Sequence, residues 1–99
     1  MNQETYGANL WRNIKTNGTT TIPGKWELIA IVVNTKGASS NTAKIYDDTA
    51  ATPERLIGTI DTTVSLGRVE YGIPMFNGIY IITAVGTAPD LTLIYKPLI

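Results

Sequence analysis

The chain of 99 residues contains no cysteine and no histidine. Without cysteine it can form neither a disulfide nor a thiolate metal site, and the composition does not indicate whether it works in an oxidising or a reducing compartment. Without histidine the Ser-His-Asp and Cys-His arrangements are excluded, because histidine is the most common general base near neutral pH. We therefore expect a protein that is not an enzyme and that binds no metal and no cofactor.

Neither sign of charge is in excess, since eight Lys and Arg balance eight Asp and Glu. Phosphate binding needs a basic surplus on one face, so nucleic acid is not an expected partner. No apolar run approaches the roughly 18–20 residues of a membrane span, and the polar residues 1–5 lack the features of a signal peptide. We expect a soluble product made in the cytoplasm, whose neutral surface suits dense packing in an assembly.

What the sequence does contain is a series of short segments rich in Thr, Val, Ile and Tyr, separated by Gly, Asn, Asp and Pro. This pattern is typical of strands and turns, and no window has helical periodicity. An all-β, single-domain β-sandwich of seven or eight short strands is predicted, with the jelly roll as one form of it and a small barrel as the alternative. The predicted strands cover residues 10–16, 19–22, 26–33, 42–46, 56–62, 64–71, 79–85 and 91–95.

Two Asn-Gly dipeptides, 17–18 and 77–78, predict hairpin turns with positive φ at the glycines, because both residue types tolerate that conformation. A bend is predicted at residues 73–76, ahead of the second turn. Residues 28–33 are apolar on both faces, which indicates a central strand or a subunit contact. The domain is expected to span residues 13–99, with residues 1–12 as an N-terminal arm.

In the predicted strand at residues 56–62, alternation assigns the side chains to two faces. One face is expected to carry Leu56, Gly58 and Ile60, and the other Ile57, Thr59 and Asp61. One of these faces should be exposed to solvent.

Two groups of residues offer catalytic or ligand chemistry, and each has a plainer explanation. A Ser–Lys pair could form from Ser39 or Ser40 with Lys44, but turn composition already explains those serines. Several carboxylates could serve glycoside hydrolysis or a calcium site, yet Asp-Asp-Thr at 47–49 is also a strand-ending turn and no Asp-x-Asp-x-Asp-Gly spacing is present. The carboxylates in question are Asp47, Asp48, Glu54, Asp61, Glu70 and Asp90.

Two further patterns concern carbohydrate. Asn17-Gly18-Thr19 fits the N-glycosylation pattern, but no secretory signal accompanies it, and the turn interpretation is preferred. Aromatic side chains could stack on sugar rings if several of them lay exposed on one sheet face, although in a small sandwich they more often fill the core or anchor an interface. The aromatics considered are Trp11, Trp26, Tyr46, Tyr71, Tyr80 and Tyr95.

The order of phrases between residues 31 and 96 resembles small structural proteins of tailed bacteriophages. The phrases are VNTKGASSN at 33–41, KIYDDTA at 44–50, IDTT at 60–63, YGI at 71–73 and GIYIITAVGTAPD at 78–90. They are rich in turns and contain no catalytic or ligand residues. Capsid decoration proteins, also called cement proteins, are among the proteins resembled.

The resemblance implies a β-sandwich, in one form a jelly roll, that assembles as a homotrimer on the capsid exterior and ties neighbouring capsid subunits together. The expected function is thus that of a non-enzymatic virion protein made in the host cytoplasm, with the major capsid protein lattice as its partner. The alternative is a receptor- or carbohydrate-binding β module of a phage tail or spike.

Overall fold

The computed structural model describes residues 9–64 and 67–98, and within these ranges the chain forms eight strands and a single turn of 3-10 helix. The strands are β1 (Leu10–Ile14), β2 (Gly18–Ile22), β3 (Trp26–Thr35), β4 (Thr42–Tyr46), β5 (Leu56–Asp61), β6 (Gly67–Met75), β7 (Ile79–Ala84) and β8 (Asp90–Pro97). The 3-10 turn, Pro53–Arg55, precedes β5. The prediction of an all-β fold of seven or eight strands is confirmed.

The strands form two antiparallel sheets of four. Sheet A has the order β1-β8-β3-β6, and sheet B has the order β2-β7-β4-β5. Only the connection from β4 to β5 stays within one sheet, so every other connection passes from one sheet to the other. The two sheets pack face to face around one core, which confirms the β-sandwich and makes the barrel alternative wrong.

The core forms mainly from alternate side chains of the strands in both sheets, as the two-residue period of a strand requires. Strand β3 lies between β8 and β6, so the central position predicted for residues 28–33 is confirmed. Core side chains from sheet A are Ile14, Leu28, Ile31, Val33, Met75, Leu91, Leu93 and Tyr95, and those from sheet B are Ile22, Ala43, Ile45, Ile60, Ile79 and Ile81.

The hairpins predicted at the two Asn-Gly dipeptides are wrong, although the predicted backbone conformation is confirmed. Gly18 and Gly78 have φ of 134° and 124°. The first turn connects β1 of sheet A with β2 of sheet B, and the second connects β6 with β7, again across the sandwich. A glycine with positive φ reverses the chain direction, but the turn alone does not decide whether the flanking strands pair.

The bend predicted at residues 73–76 is also wrong, because Ile73, Pro74 and Met75 belong to β6. Proline is tolerated there since β6 is an edge strand of sheet A, whose outer side has no ladder partner within the sheet. The strand begins at Gly67, not at residue 64, and Val64 lies in a turn.

Strand β5 departs from the predicted alternation. The register between β4 and β5 shifts where Tyr46 pairs with Leu56 and Ile45 with Gly58, which leaves Ile57 as the bulged residue. Consequently Ile57 packs against the core together with Ile60, although strict alternation assigns them to opposite faces.

Strand β1 begins at Leu10 and pairs with β8, so residues 10–12 of the predicted arm lie in sheet A. Residues 1–8 of the predicted arm fall outside the described residues, as does Ile99. Near the C-terminus, the backbone N–H of Leu98 donates to the carbonyl oxygen of Lys25 at 3.2 Å, which ties the end of β8 to the turn before β3.

Candidate functional site

One large aromatic side chain lies on the outer surface of sheet A. Trp11 on β1 pairs with Ile94 on β8, which in turn pairs with Ala30 on β3. Because Leu93 and Tyr95 on either side of Ile94 point into the core, Ile94 and its cross-strand partners point outward. Trp11 is 71% exposed.

Two half-buried apolar side chains, Ile94 and Val32, extend this surface. In the next row of sheet A, Asn13, Thr92 and Val32 are cross-strand partners, and Val32 is half-buried. Ile94 is half-buried as well, so it continues the apolar surface from Trp11 toward Val32. We call the outward surface of sheet A around Trp11, Ile94 and Val32 the Trp11 face.

A hydrogen-bonded polar network borders the Trp11 face. The side-chain amide of Asn13 donates to Asp90 Oδ1 at 2.6 Å, and that of Asn34 donates to the same oxygen at 3.3 Å and to Thr92 Oγ1 at 2.8 Å. These two amides, together with the positive charge of Lys15, lower the pKa of Asp90 below its ordinary value. The Asp90 carboxylate is therefore negatively charged at neutral pH, and hydrogen bonds fix its position beside the Trp11 face.

Ion pairs line the remainder of this surface. Lys96 Nζ lies 3.8 Å from Glu27 Oε1 on the neighbouring strand, and Arg68 pairs with Glu70 on β6. An apolar centre with a polar and charged rim is the usual composition of a protein–protein interface. The Trp11 face therefore has the chemistry of a contact surface.

The aromatics singled out for sugar stacking do not gather on one face. Trp26 and Tyr95 meet edge to face with ring centroids 5.1 Å apart, and the Trp26 indole N–H donates to the Pro23 carbonyl at 2.8 Å. Tyr46 and Tyr80 form a second pair, at 6.1 Å, on sheet B.

Of the six aromatics considered, Trp11 alone is a strongly exposed residue. Tyr71 packs against the core, and its burial raises the pKa of its hydroxyl. Phe76, which precedes the second Asn-Gly dipeptide, is 57% exposed at one end of the sandwich.

The carboxylates considered for catalysis or calcium act separately in local structure. Asp48 accepts hydrogen bonds from Thr52 Oγ1 at 2.6 Å and from the Thr49 backbone N–H at 2.8 Å, with Arg55 at 3.9 Å. These contacts lower its pKa in that order of importance. The turn interpretation of residues 47–49 thus accounts for Asp48, because its carboxylate is engaged in hydrogen bonds within the turn.

The other carboxylates are similarly dispersed. Asp47 accepts the backbone N–H of Asn77 at 2.9 Å, and Asp61 accepts the Thr63 hydroxyl and N–H, which lowers the pKa of Asp61. Glu54 lies exposed in the 3-10 turn, and Glu70 pairs with its strand neighbour Arg68. Within residues 9–64 and 67–98, no three His, Cys, Asp or Glu side chains are placed to hold a metal ion.

The members of the possible Ser–Lys pair lie in two different elements. Ser39 and Ser40 lie in the connection from β3 to β4 with φ of 59° and 67°. Lys44 lies on β4, where it pairs with Ile82 and points out from sheet B. None of the hydrogen bonds in the described part of the chain joins either hydroxyl to Lys44.

A buried asparagine ties four connections together at one end of the sandwich. Asn41 is fully buried, and its amide nitrogen donates to Asn17 Oδ1 and to the Val85 carbonyl, both at 2.8 Å. Its side-chain oxygen accepts the Thr62 hydroxyl at 2.7 Å, and the Thr62 backbone oxygen accepts the N–H of Gly37. We call this group of connections, which covers residues 15–17, 36–41, 62–64 and 85–89, the Asn41 end.

The backbone of the Asn41 end is strained. Besides the two serines, Val85 has a positive φ of 59°, which is a genuine outlier for a β-branched residue. Val85 and Val64 are 58% and 68% exposed, so two apolar side chains protrude beside this strained backbone. Strained segments of this kind are often functional. The Asn41 end is thus a second candidate contact surface.

Compared with known proteins, the sequence matches no family model, and no curated protein matches it at a significant level. No helix in the described part of the chain is long and apolar enough to cross a membrane.

Sequence reasoning missed both the exposure of Trp11 and the role of Asn41. The alternation in residues 10–16 is typical of an edge strand, and β1 is an edge strand of sheet A. Alternation does not reveal, however, that the outer face at Trp11 is open. Asn41 stands in a polar stretch that reads as an ordinary loop, and no local signal distinguishes it from exposed asparagines. Only the convergence of Asn17, Thr62 and Val85 explains its burial.

Proposed function

We propose that this chain is a non-enzymatic structural protein of a bacteriophage virion that decorates and stabilises the capsid exterior. Its partner in this proposal is the major capsid protein lattice, and its working form is a homotrimer. The sequence resemblance across residues 31–96 motivates the proposal, and two features of the fold support it.

The first feature is the strand order. Strand β1 pairs with β8, β2 with β7, β3 with β6 and β4 with β5, so the chain is nested around the β4–β5 connection. We interpret this order as a jelly roll, an eight-stranded double-sheet architecture that viral capsid domains and lectins use.

The second feature, and the observation that carries the proposal, is the Trp11 face. A tryptophan that is 71% exposed leaves on the order of 150 Å² of aromatic surface in water, and covering it contributes about 4 kcal/mol before other terms. Exposed tryptophans at interface centres are frequent hot spots. The chain therefore carries a strong anchor for a protein partner.

A domain of this size offers each neighbour only a small patch, and interfaces below about 1,200 Å² are typically weak. A trimer on a lattice engages several patches at once, and the gain in affinity is set by effective concentration rather than by one strong contact. Assembled shells supply this geometry, whereas a free capsid subunit does not. Binding should therefore require the lattice.

The test compares the binding of purified protein to expanded empty shells and to unassembled capsid protein of the same phage. Cosedimentation measures the bound copies, and denaturant resistance measures shell stability. Trp11→Ala should weaken shell binding at least about tenfold, as expected for a hot-spot tryptophan. Phe76→Ala is the matched control, because Phe76 is also an exposed aromatic but lies in the connection from β6 to β7, outside the strands β1, β8 and β3 that carry the Trp11 face.

Two results would contradict the proposal. The first is equal binding to shells and free subunits, or binding without any gain in shell stability. The second is a Trp11→Ala variant that binds as well as Phe76→Ala. Light scattering tests the trimer separately, since a clean monomer of 10.7 kDa at high concentration would remove it.

A second candidate function is a receptor- or carbohydrate-binding module of a phage tail or spike. The observation that favours it is the position of Trp11 beside the amides of Asn13 and Asn34 and the carboxylate of Asp90. An aromatic face next to fixed polar groups is suited to a sugar ring. Titration with glycans and binding to host cells distinguish this function from shell binding.

A further inference from the structure

The two Asn-Gly dipeptides share a chemistry that the proposed function does not use. In Asn-Gly the backbone nitrogen of the glycine can attack the side-chain Cγ of the asparagine, because glycine has no Cβ to obstruct the approach. A C–N bond forms to Cγ, the side-chain nitrogen leaves as ammonia with the proton from the glycine nitrogen, and a succinimide results. Water then opens the ring to aspartate or isoaspartate.

At the first dipeptide the asparagine side chain is held at both of its polar atoms. Asn17 Nδ2 donates to the Gly86 carbonyl at 3.0 Å, and Asn17 Oδ1 accepts from the buried amide of Asn41 at 2.8 Å. Both hydrogen bonds must break before Cγ can turn toward the nitrogen of Gly18. The Asn41 end therefore protects Asn17.

At the second dipeptide the asparagine is exposed, and none of the side-chain hydrogen bonds in the described residues involves its amide group. The backbone N–H of Asn77 donates to Asp47 Oδ1 at 2.9 Å, which leaves the side-chain amide uninvolved. We propose that Asn77 is a site of spontaneous deamidation in the folded protein, while Asn17 is protected.

Conversion at position 77 changes both charge and packing. The new carboxylate adds one negative charge to a chain whose formal net charge is zero, and it does so beside the carboxylate of Asp47. In the isoaspartate form the main chain is one carbon longer just before Gly78. That position is tightly packed, because a Cβ on Gly78 would lie 2.9 Å from the Asp48 carbonyl and 3.1 Å from the Ile22 carbonyl.

The extra carbon therefore displaces either this turn or the start of β7, where Ile79 is fully buried. We expect the converted protein to be more acidic and less stable than the starting protein. The change is confined to the end of the sandwich opposite the Asn41 end.

The test incubates the folded protein in mildly alkaline buffer and follows charge variants by ion exchange. Trypsin places the two dipeptides in separate peptides, residues 16–25 and the peptide that begins at residue 69, and mass spectrometry measures conversion in each. Conversion at Asn77 should be at least about fivefold faster than at Asn17. The reason is that both side-chain hydrogen bonds of Asn17 must break before it reacts, and each contributes a modest net stability. In denaturant, where these bonds are absent, the two rates should approach each other.

Two variants complete the design. Asn77→Ser keeps an exposed polar side chain and should remove the acidic species. Asn41→Ala removes the donor to Asn17 Oδ1 and should speed conversion at Asn17 while leaving Asn77 unchanged. Conversion at Asn17 that equals or exceeds that at Asn77 in the folded protein, or a rate ratio that denaturant does not change, would overturn the proposal.

Discussion

Gly18 and Gly78 form a matched pair that separates backbone strain from steric overlap. Both have strongly positive φ, at 134° and 124°. A Cβ on Gly18 meets no heavy atom within 4 Å, whereas a Cβ on Gly78 meets the Asp48 carbonyl, Thr49 Cγ2 and the Ile22 carbonyl at 2.9, 3.0 and 3.1 Å. Two of these three atoms belong to the backbone and cannot rotate away. The same substitution should therefore have different effects at the two sites.

The expected magnitudes follow from these contacts. Gly18→Ala adds only the conformational cost of an L-residue at positive φ, which is about 1–2 kcal/mol. Gly78→Ala adds the same cost and an overpacking term of about 1–3 kcal/mol. The whole domain should have an unfolding free energy of about 5–15 kcal/mol, so most of either variant remains folded.

Urea unfolding measures the difference. With a slope of about 1–3 kcal/mol per molar urea for a small protein, Gly78→Ala should unfold at a midpoint roughly 1 M below that of Gly18→Ala. The two variants should share the slope of the parent protein. Equal midpoints would refute the reasoning, because they would show that the turn before β7 moves away from the added methyl at no cost.

Three further predictions concern the buried amide and the titrating groups. Asn41→Ala should destabilise the protein by about 2–4 kcal/mol, because it removes the three hydrogen bonds made by a fully buried side chain. Asn34→Ala on the exposed sheet A network should change stability by less than about 1 kcal/mol, and thermal unfolding compares the two variants. Folding lowers the pKa of Asp90, so its ionised carboxylate contributes to folding stability above the ordinary pKa of 3.8, and this contribution is lost as pH falls through the folded pKa. Asp90→Asn should therefore flatten the acid side of a curve of folding stability against pH. Burial raises the pKa of Tyr71, so the contribution of its neutral hydroxyl to folding stability is lost as pH rises through that raised value. Between about pH 5 and 8 the folding stability should be nearly constant, because the chain has no histidine to titrate there.

The strands of this protein could be predicted from sequence because their signals are local. Alternating Val, Ile, Thr and Tyr bounded by Gly, Asn and Pro located β4 at residues 42–46 without error and β3, β7 and β8 to within about two residues, the usual uncertainty of element ends. The apolar run at residues 28–33 indicated either a central strand or a subunit contact, and the strand order shows that β3 is central in sheet A. Positive φ at Gly18 and Gly78 followed from residue type alone.

Strand pairing was decided by the tertiary structure. An Asn-Gly turn fixes a local change of direction, but whether the next strand joins the same sheet depends on the cores of both sheets, which is long-range information. The same holds for Pro74, which reads as a bend until β6 is known to be an edge strand. The bulge at Ile57 is a further case, since packing against the core overrides simple alternation there.

The candidate contact surfaces divide in the same way. The absence of histidine and cysteine, and the even charge, are properties of the sequence alone, and they directed attention to binding rather than catalysis. Tertiary structure alone decided that Trp11 is exposed while Trp26 packs on Tyr95, and that Asn41 is buried at the meeting point of four connections. Side-chain type sets what a residue can contact, but exposure depends on which distant strands cover it, and no local segment carries that information.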